Sequence, residues 1–267
     1  MISLVQLLRE AQGAPKAIIL AGAPGAGKSS VIDDIISDLG LKVLNIDDYF
    51  IKNLRDAGIS LDLKRADAAD RSGAAKAMAS AKELYQDELK QEIKKRGNIV
   101  IDGTAGSYDE TEKLKNTLEA AGYDVMMVFV YSSLEKSLEK NEDRFERSAG
   151  KDRSLMPAIV MQTWAKVTKN FIPYLNLFNN NFVATTKDKD PFSEASLDKI
   201  IKRYLEPYTP QDTKPKTEKD RAKSRANKEK LEQEILSLRD KQNVQDIIQQ
   251  TVSIPEAQNK IKQFLRS

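Results

Sequence analysis

Short, continuous apolar runs alternate with longer segments of helical spacing along most of this 267-residue chain. Five of these runs have the length of a strand and end at glycine or polar residues, which is typical of strands buried inside a sheet. They cover residues 16–21, 42–46, 98–102, 125–130 and 182–185. Because strands separated by helices usually pair in parallel, the pattern predicts an α/β fold with a doubly wound, parallel, five-stranded sheet.

The segments between the runs predict helices on both faces of that sheet. Gly40, Gly97 and Gly122 stand where three of these helices would end, a position that glycine often takes. Residues 51–62 show no clear period and are expected to be irregular. The predicted helices cover residues 28–39, 66–96, 109–121, 133–148, 155–179 with an interruption at Pro173, and 193–205.

The two ends of the chain differ from its middle. Residues 1–12 carry apolar groups at helical spacing before Gly13, whereas the composition after Pro207 is that of a linker. Two helices are expected beyond it, at 219–240 and from Ser253 onward, where a capping-box pattern begins. The predicted division is a leader helix at 1–13, an α/β domain at 14–206, a linker at 207–220 and a helical C-terminal appendage at 221–267.

Composition limits the chemistry. The chain has no histidine and no cysteine, which excludes histidine bases, disulfides and thiolate metal sites. A general base must be a carboxylate, a lysine or a tyrosine, and a metal must be a hard ion on oxygen ligands. No apolar run approaches the roughly 20 residues of a membrane-spanning helix. We expect a cytoplasmic protein without membrane contact.

The positive charge is concentrated near the C-terminus. The net charge is +3, and between residues 207 and 230 eight Lys and Arg stand against four Asp and Glu. Such a segment attracts phosphate polymers, although most charge runs are solvated linkers or helix faces. The helices beyond residue 207 are therefore a candidate surface for a partner.

A glycine-rich sequence after the first apolar run carries the clearest chemical signal. It reads G-x-x-x-x-G-K-S between a predicted strand and a predicted helix, as a phosphate-binding loop requires. Backbone N–H groups and the helix N-terminus would hold the phosphates of ATP or GTP, Lys28 would reach the terminal phosphates, and Ser29 would bind Mg²⁺. The predicted nucleotide-binding residues are Gly22, Ala23, Pro24, Gly25, Ala26, Gly27, Lys28, Ser29 and Ser30.

Acidic residues follow two of the predicted strands. Asp102 ends the third strand, where it could orient Mg²⁺, with a turn or capping role as the alternative. Asp47 and Asp48 follow the second strand, and Asp48 is favoured as the base that accepts a hydroxyl proton. Asp47 remains an alternative base, or a metal or capping residue, and both residues could simply begin a loop.

Cations cluster after the fourth strand. Arg144 and Arg153 flank a glycine-containing loop that resembles a lid over a triphosphate, and we expect them to contact the transferring phosphate. Arg147 and Lys151 could take that role instead. Surface ion pairs are the simpler explanation for all four.

Residues 16 to about 180 resemble the zeta-toxin kinases and, more loosely, the phage-type polynucleotide kinases. The resemblance rests on four stretches: the loop at 22–29, Ile46-Asp47-Asp48-Tyr49-Phe50, Ile101-Asp102-Gly103-Thr104, and Ala158-Ile159-Val160 after the arginine-bearing lid. It implies a P-loop kinase domain with Asp48 as the base for a sugar hydroxyl. It also implies that Asp47, Asp102 and Thr104 contact substrate or metal, and that Arg144 and Arg153 grip phosphates.

The acceptor implied by this resemblance is a small sugar nucleotide, whereas the polynucleotide kinases and the basic segment suggest a nucleic-acid end. The chain departs from zeta toxins by having Asp102 where that family usually has glutamate, and by a shorter lid. Two other functions stay open. One is a nucleotide-binding virion protein without turnover, and the other is an NTPase motor or switch, which the lack of further ATPase motifs disfavours.

The first eleven residues resemble the capsid-targeting leaders of internal proteins of tailed phages, which are cut after a glutamate. Here Glu10 would be that glutamate. The resemblance implies packaging in a phage virion and delivery to the host cytoplasm. A plain helix that packs on the sheet is the alternative.

Overall fold

The computed structural model describes residues 13–35, 41–63, 66–188, 197–205, 217–239 and 242–267. The predicted leader lies outside the described residues, as does most of the predicted linker. The described strands are β1 (Lys16–Ala21), β2 (Lys42–Asn45), β3 (Ile99–Asp102), β4 (Asp124–Tyr131), β5 (Phe182–Thr186) and β6 (Thr251–Val252). None of the helices in this part of the chain is both long and apolar enough to cross a membrane.

The strands form one parallel sheet in the order β2-β3-β1-β4-β5-β6. The parallel α/β architecture is confirmed, but the predicted number of five strands is wrong. The sixth strand, β6, pairs with β5 through Thr251 and Val252. It was missed because two residues without an apolar run give no periodic signal.

Helices cover both faces of the sheet. In chain order they are α1 (Lys28–Ile35), α2 (Ile46–Asp56), α3 (Ala68–Lys95), α4 (Tyr108–Ala120), α5 (Leu134–Arg147), α6 (Pro157–Lys169), α7 (Phe171–Phe178), α8 (Leu197–Ile200), α9 (Glu218–Arg239), α10 (Gln242–Gln250) and α11 (Ile254–Arg266). A 3-10 turn at Asn179–Asn181 follows α7, and a π-helical turn at Ile201–Leu205 follows α8.

The alternation of β1 shows how the sheet separates two cores. Ala17 and Ile19 pack into one core together with α6, α7 and α9, whereas Ile18 and Leu20 face the other core. Both sets are almost fully buried. Because adjacent strand residues point to opposite faces, one continuous apolar run supplies both cores, as expected for a sheet covered on two sides.

Helix α2 corrects the expectation of irregular structure over residues 51–62. Asn45 caps it, because its Oδ1 accepts a hydrogen bond of 2.8 Å from the backbone N–H of Asp47. Phe50 and Leu54 lie one turn apart and are buried against α3. The asparagine cap was the available signal, and it places Asp47 and Asp48 in the first turn of a helix.

Two other helix predictions need correction. The interruption between 155 and 179 falls at Asn170, which ends α6 and precedes α7, while Pro173 lies within the first turn of α7. A proline is tolerated there because the first-turn N–H groups have no helical partner. Helix α10 was not predicted.

The C-terminal helices share both cores with the sheet. Leu231 and Ile235 of α9 belong to the same core as Ile19, and Ile261 and Phe264 of α11 belong to the same core as Ile18. Thr185 donates a hydrogen bond of 2.9 Å to the carbonyl of Val252, which joins the last segment to β5. The domain boundaries at residues 206 and 221 stay predictions.

Candidate active site

The phosphate loop connects β1 to α1 at the carboxyl edge of the sheet, as predicted. The N–H of Gly22 donates to the carbonyl of Thr104 at 3.2 Å, which ties the loop to the end of β3. Gly25 has a φ of +81°, and a Cβ on it would lie 2.4 Å from the carbonyl oxygen of Ser137 in α5. Only glycine fits so close an approach with that backbone conformation.

Lys28 folds into the loop. Its Nζ donates to the carbonyls of Gly22 at 2.8 Å and Ala23 at 3.3 Å. Burial lowers the pKa of Lys28, and the nearby carboxylates of Asp102 and Asp47 oppose this shift. The lysine is therefore positioned beside backbone amides that would face a phosphate chain.

Asp102 is a buried carboxylate at the end of β3, where it lies opposite Leu20 of β1. Its Oδ2 accepts a hydrogen bond of 2.9 Å from Asn45, whereas its buried Oδ1 has no hydrogen-bond partner among the described residues. Burial raises the pKa of Asp102, and the positive charge of Lys28 partly offsets it. A carboxylate oxygen without a partner fits a hard cation as its ligand.

No group of three or more acidic side chains converges on a metal position in the part of the chain that the structure describes. This agrees with Mg²⁺ chemistry in kinases, since one or two carboxylates suffice when phosphate oxygens and waters complete the shell. Ser29, exposed at the start of α1, and Asp102 are the residues that fit such an ion.

The two acidic residues of α2 have different environments. Asp47 Oδ1 accepts a hydrogen bond of 2.6 Å from Nη2 of Arg153. Asp48 is exposed and has no hydrogen-bond partner among the described side chains. Burial of its carboxyl group raises the pKa of Asp48, and the negative charges of Asp47 and Asp152 raise it further. Asp48 is thus the carboxylate that is available and more basic than usual.

The two predicted lid arginines both pair with carboxylates. Arg144 Nε donates to Asp152, and Arg153 pairs with Asp47 while its guanidinium lies 5.4 Å from the ring centroid of Phe50. Arg153 is only 8% exposed. The side chain of Arg147 lies outside the described residues, and Lys151 is exposed. The structure therefore brings Arg153 to α2 but does not place it on an open surface.

The loop before α6 is anchored on both sides. Ser154 Oγ donates to Asp62 at 2.7 Å, and the N–H of Ser154 donates to the carbonyl of Leu61 at 3.1 Å. Asn141 of α5 holds the backbone of Leu155 through two hydrogen bonds, of 2.9 and 3.2 Å. These contacts hold Arg153 against the first turn of α2.

A pocket of about 420 Å³ lies beyond the end of β3, next to the phosphate loop. The predicted residues Asp102 and Thr104 line it. Sequence reasoning missed the other polar residues of its wall, which come from α3, α4 and α6: Tyr85, Glu110, Thr163 and Lys166. No motif marks them, because each sits on a helix far from the loop in sequence.

Comparison with known proteins places these features in context. A family model described as zeta toxin matches residues 4–172. A search of curated proteins gave no match.

Solved structures share the fold. The AvrRxo1-ORF1:-ORF2 complex with ATP is 14% identical, covering 89% of this chain and 80% of that chain with a TM-score of 0.51. The PezAT toxin–antitoxin system of Streptococcus pneumoniae is 15% identical over 87% of this chain and 94% of that one, with a TM-score of 0.47. The Pnkp1/Rnl/Hen1 RNA repair complex is 17% identical over 60% and 46%, with a TM-score of 0.45.

The family match spans more than half of the chain and includes the phosphate loop, both acidic strand ends and the arginine-bearing loop. The first listed features that carried the resemblance are thus inside the matched residues. The chain belongs to the zeta toxin family and is a P-loop kinase.

Proposed function

We propose that this kinase transfers the γ-phosphoryl group of ATP or GTP to a hydroxyl of a small, sugar-nucleotide-like molecule. The observation that carries the proposal is the pocket of about 420 Å³ that adjoins the phosphate loop and shares Asp102 and Thr104 with it. A pocket of this size accommodates a small molecule, as ligand pockets usually do. Donor and acceptor would then meet at the carboxyl edge of the sheet.

The donor would be held by the phosphate loop, with Lys28 at the terminal phosphates. Ser29 and Asp102 would hold Mg²⁺, which supplies charge neutralisation for the phosphate oxygens. The partnerless Oδ1 of Asp102 supports this assignment, since a buried carboxylate oxygen is otherwise costly.

In the transfer step, Asp48 would accept the proton of the acceptor hydroxyl. The hydroxyl oxygen forms a bond to the γ-phosphorus, the bond from that phosphorus to the β–γ bridging oxygen breaks, and the nucleoside diphosphate leaves with the electron pair. The raised pKa of Asp48 supports its role, because a more basic carboxylate accepts a proton more readily. Asp47 is less available, since Arg153 already occupies its Oδ1.

Arg144 and Arg153 would contact phosphate oxygens after exchanging their carboxylate partners. Each is held by one carboxylate in the described structure, Asp152 and Asp47 respectively. A phosphate chain offers charge-assisted hydrogen bonds of the same kind, so the exchange need not leave a guanidinium unpaired.

A 5′-hydroxyl nucleic-acid end is the second candidate acceptor, and the first turns of α9 favour it. Every residue of 217–230 whose side chain is described is exposed. They include five cations, Lys219, Lys223, Arg225, Lys228 and Lys230. Such a basic helix attracts a phosphate backbone.

The proposal is tested by incubating the full chain with Mg²⁺ and γ-labelled ATP or GTP. The acceptor panel contains nucleotide sugars, nucleosides and 5′-hydroxyl oligonucleotides. We expect label on a nucleotide sugar. Label on oligonucleotides alone would select the second candidate, and nucleotide binding without any labelled acceptor would indicate a binding protein.

The variant Asp48→Ala tests the base. We expect transfer to fall by about 10²–10⁴-fold, the usual range for a lost general base, while nucleotide binding is retained. Asp56→Ala is the matched control, because Asp56 lies at the other end of α2 in an exposed pair with Lys52. Unchanged transfer in Asp48→Ala would rule out this residue as the base.

A further inference from the structure

The loop after β5 lies against the helix end of the phosphate loop. Lys187 Nζ donates a hydrogen bond of 2.7 Å to the hydroxyl of Ser30. Its Cδ lies 4.0 Å from the position that a Cβ on Gly27 would take. The aliphatic part of Lys187 therefore runs beside the last glycine of the loop, and its ammonium group reaches the first turn of α1.

The next residue fixes this loop in place. The carboxylate of Asp188 accepts hydrogen bonds from the N–H of Ser133 at 2.8 Å and from Ser132 Oγ at 3.1 Å. It also lies 3.5 Å from Nζ of Lys140, and its side chain is only 3% exposed. Asp188 thus ties the end of β5 to the end of β4, which limits where Lys187 can point.

Strand order gives the direction of a bound triphosphate. Asp102 ends β3 and Asp48 follows β2, and both strands lie on one side of β1. The γ-phosphate must face that side, because the acceptor base is there. The phosphate nearest the ribose then lies toward β4 and β5, on the side of Lys187.

We infer that Lys187 is a nucleotide-binding residue that contacts the α-phosphate of the donor. Two lysines would then serve the loop from opposite ends, Lys28 at the terminal phosphates and Lys187 at the ribose end. The inference rests on the proposed function, since it requires a nucleoside triphosphate in the loop. An ammonium at this place replaces its hydrogen bond to the Ser30 hydroxyl with a charge-assisted bond to phosphate, which is stronger.

Isothermal titration of the full chain with ATP, GTP and their diphosphates, in the presence of Mg²⁺, tests the inference. Lys187→Gln is expected to weaken tri- and diphosphate binding by a similar factor of about ten, because both contain the α-phosphate. Lys187→Arg should restore most of the affinity. The matched control is Lys136→Gln, an exposed lysine of α5 paired with Glu139, which should bind like the wild type.

Kinetics separate this role from a structural one. A contact to the α-phosphate is the same in the ground state and the transition state, so Lys187→Gln should raise KM for the donor and leave kcat within about twofold. A lysine that only supports the loop would instead lower the melting temperature without nucleotide and leave affinity unchanged.

Wild-type affinity in Lys187→Gln, with the wild type still transferring phosphate, overturns the inference and leaves the proposed function intact. A loss of triphosphate binding without loss of diphosphate binding also overturns it, because the contact would then be to the γ-phosphate. If the wild type binds no nucleotide, the proposed function itself fails.

Discussion

Asp102 is a residue whose local environment opposes its own charge. It is 8% exposed, its Oδ1 lacks a hydrogen-bond partner among the described residues, and burial raises its pKa. A buried oxygen without a partner costs about 1–3 kcal/mol of the free energy of unfolding. The cost is understandable if the oxygen serves as a ligand, since active sites often trade stability for function.

The variant Asp102→Asn is therefore expected to be more stable and less active. It removes the buried charge, and its amide oxygen can still accept the hydrogen bond from Asn45. We expect a melting temperature about 2–4 °C higher without nucleotide, and phosphoryl transfer at least about a hundredfold slower. Calorimetry and the labelled transfer assay measure the two effects.

The stability gain should depend on pH in a defined direction. Because the pKa of Asp102 is raised in the folded state, the folded protein takes up this proton before the unfolded chain does as pH falls. The wild type recovers stability in that range, so the gain of the variant should shrink below neutral pH. Asp87→Asn, an exposed aspartate paired with Lys90, is the control. A lower melting temperature for Asp102→Asn at neutral pH contradicts the argument.

At the scale of elements, the phosphate loop and helix α5 depend on each other. Gly25 approaches the carbonyl of Ser137 so closely that no side chain fits between them. The loop is thus supported from below by a helix that also carries Arg144. A change in this contact should affect the loop first, because the loop has fewer buried contacts than the helix.

Gly25→Ala tests this contact. Its Cβ would meet the carbonyl oxygen at 2.4 Å in a backbone conformation with φ of +81°, so the loop must shift. We expect nucleotide affinity to fall by about tenfold or more, together with a lower melting temperature. Gly97→Ala is the control, since a Cβ there has no atom within 4 Å. Equal affinity in both variants, measured by titration, would show that the loop tolerates the added carbon.

The same scale shows what the sequence could predict. Strands β1, β3 and β4 were predictable because each is one buried apolar run, and the phosphate loop was predictable because all of its residues are contiguous. Helix α2 was missed because only Phe50 and Leu54 are buried in it, which is too few for a period to be seen. The pocket residues Tyr85 and Lys166 could not be predicted, because tertiary packing alone brings them together.

At the scale of the whole molecule, the last helix belongs to the folded core. Ile261 is 0% exposed and packs in the core that contains Ile18 and Val128. A large-to-small change at such a site costs about 2–5 kcal/mol. The effect should therefore reach the whole sheet and not only the C-terminal segment.

Ile261→Ala is expected to lower the single unfolding transition of the full chain by several degrees. Lys262→Ala, the exposed neighbour on α11, should melt like the wild type. Circular dichroism during heating, compared with nucleotide binding at the same temperatures, measures both. Two separate transitions, of which only the weaker one shifts, would mean that the C-terminal helices unfold independently.

The strand lengths have a consequence for behaviour in concentrated solution. The outer strands β2 and β6 have four and two residues, whereas β4, with eight, lies inside the sheet. An outer strand presents unpaired N–H and C=O groups that can recruit a strand from another molecule, and short outer strands limit that recruitment. The order of the strands therefore protects this kinase from growing into a continuous intermolecular sheet.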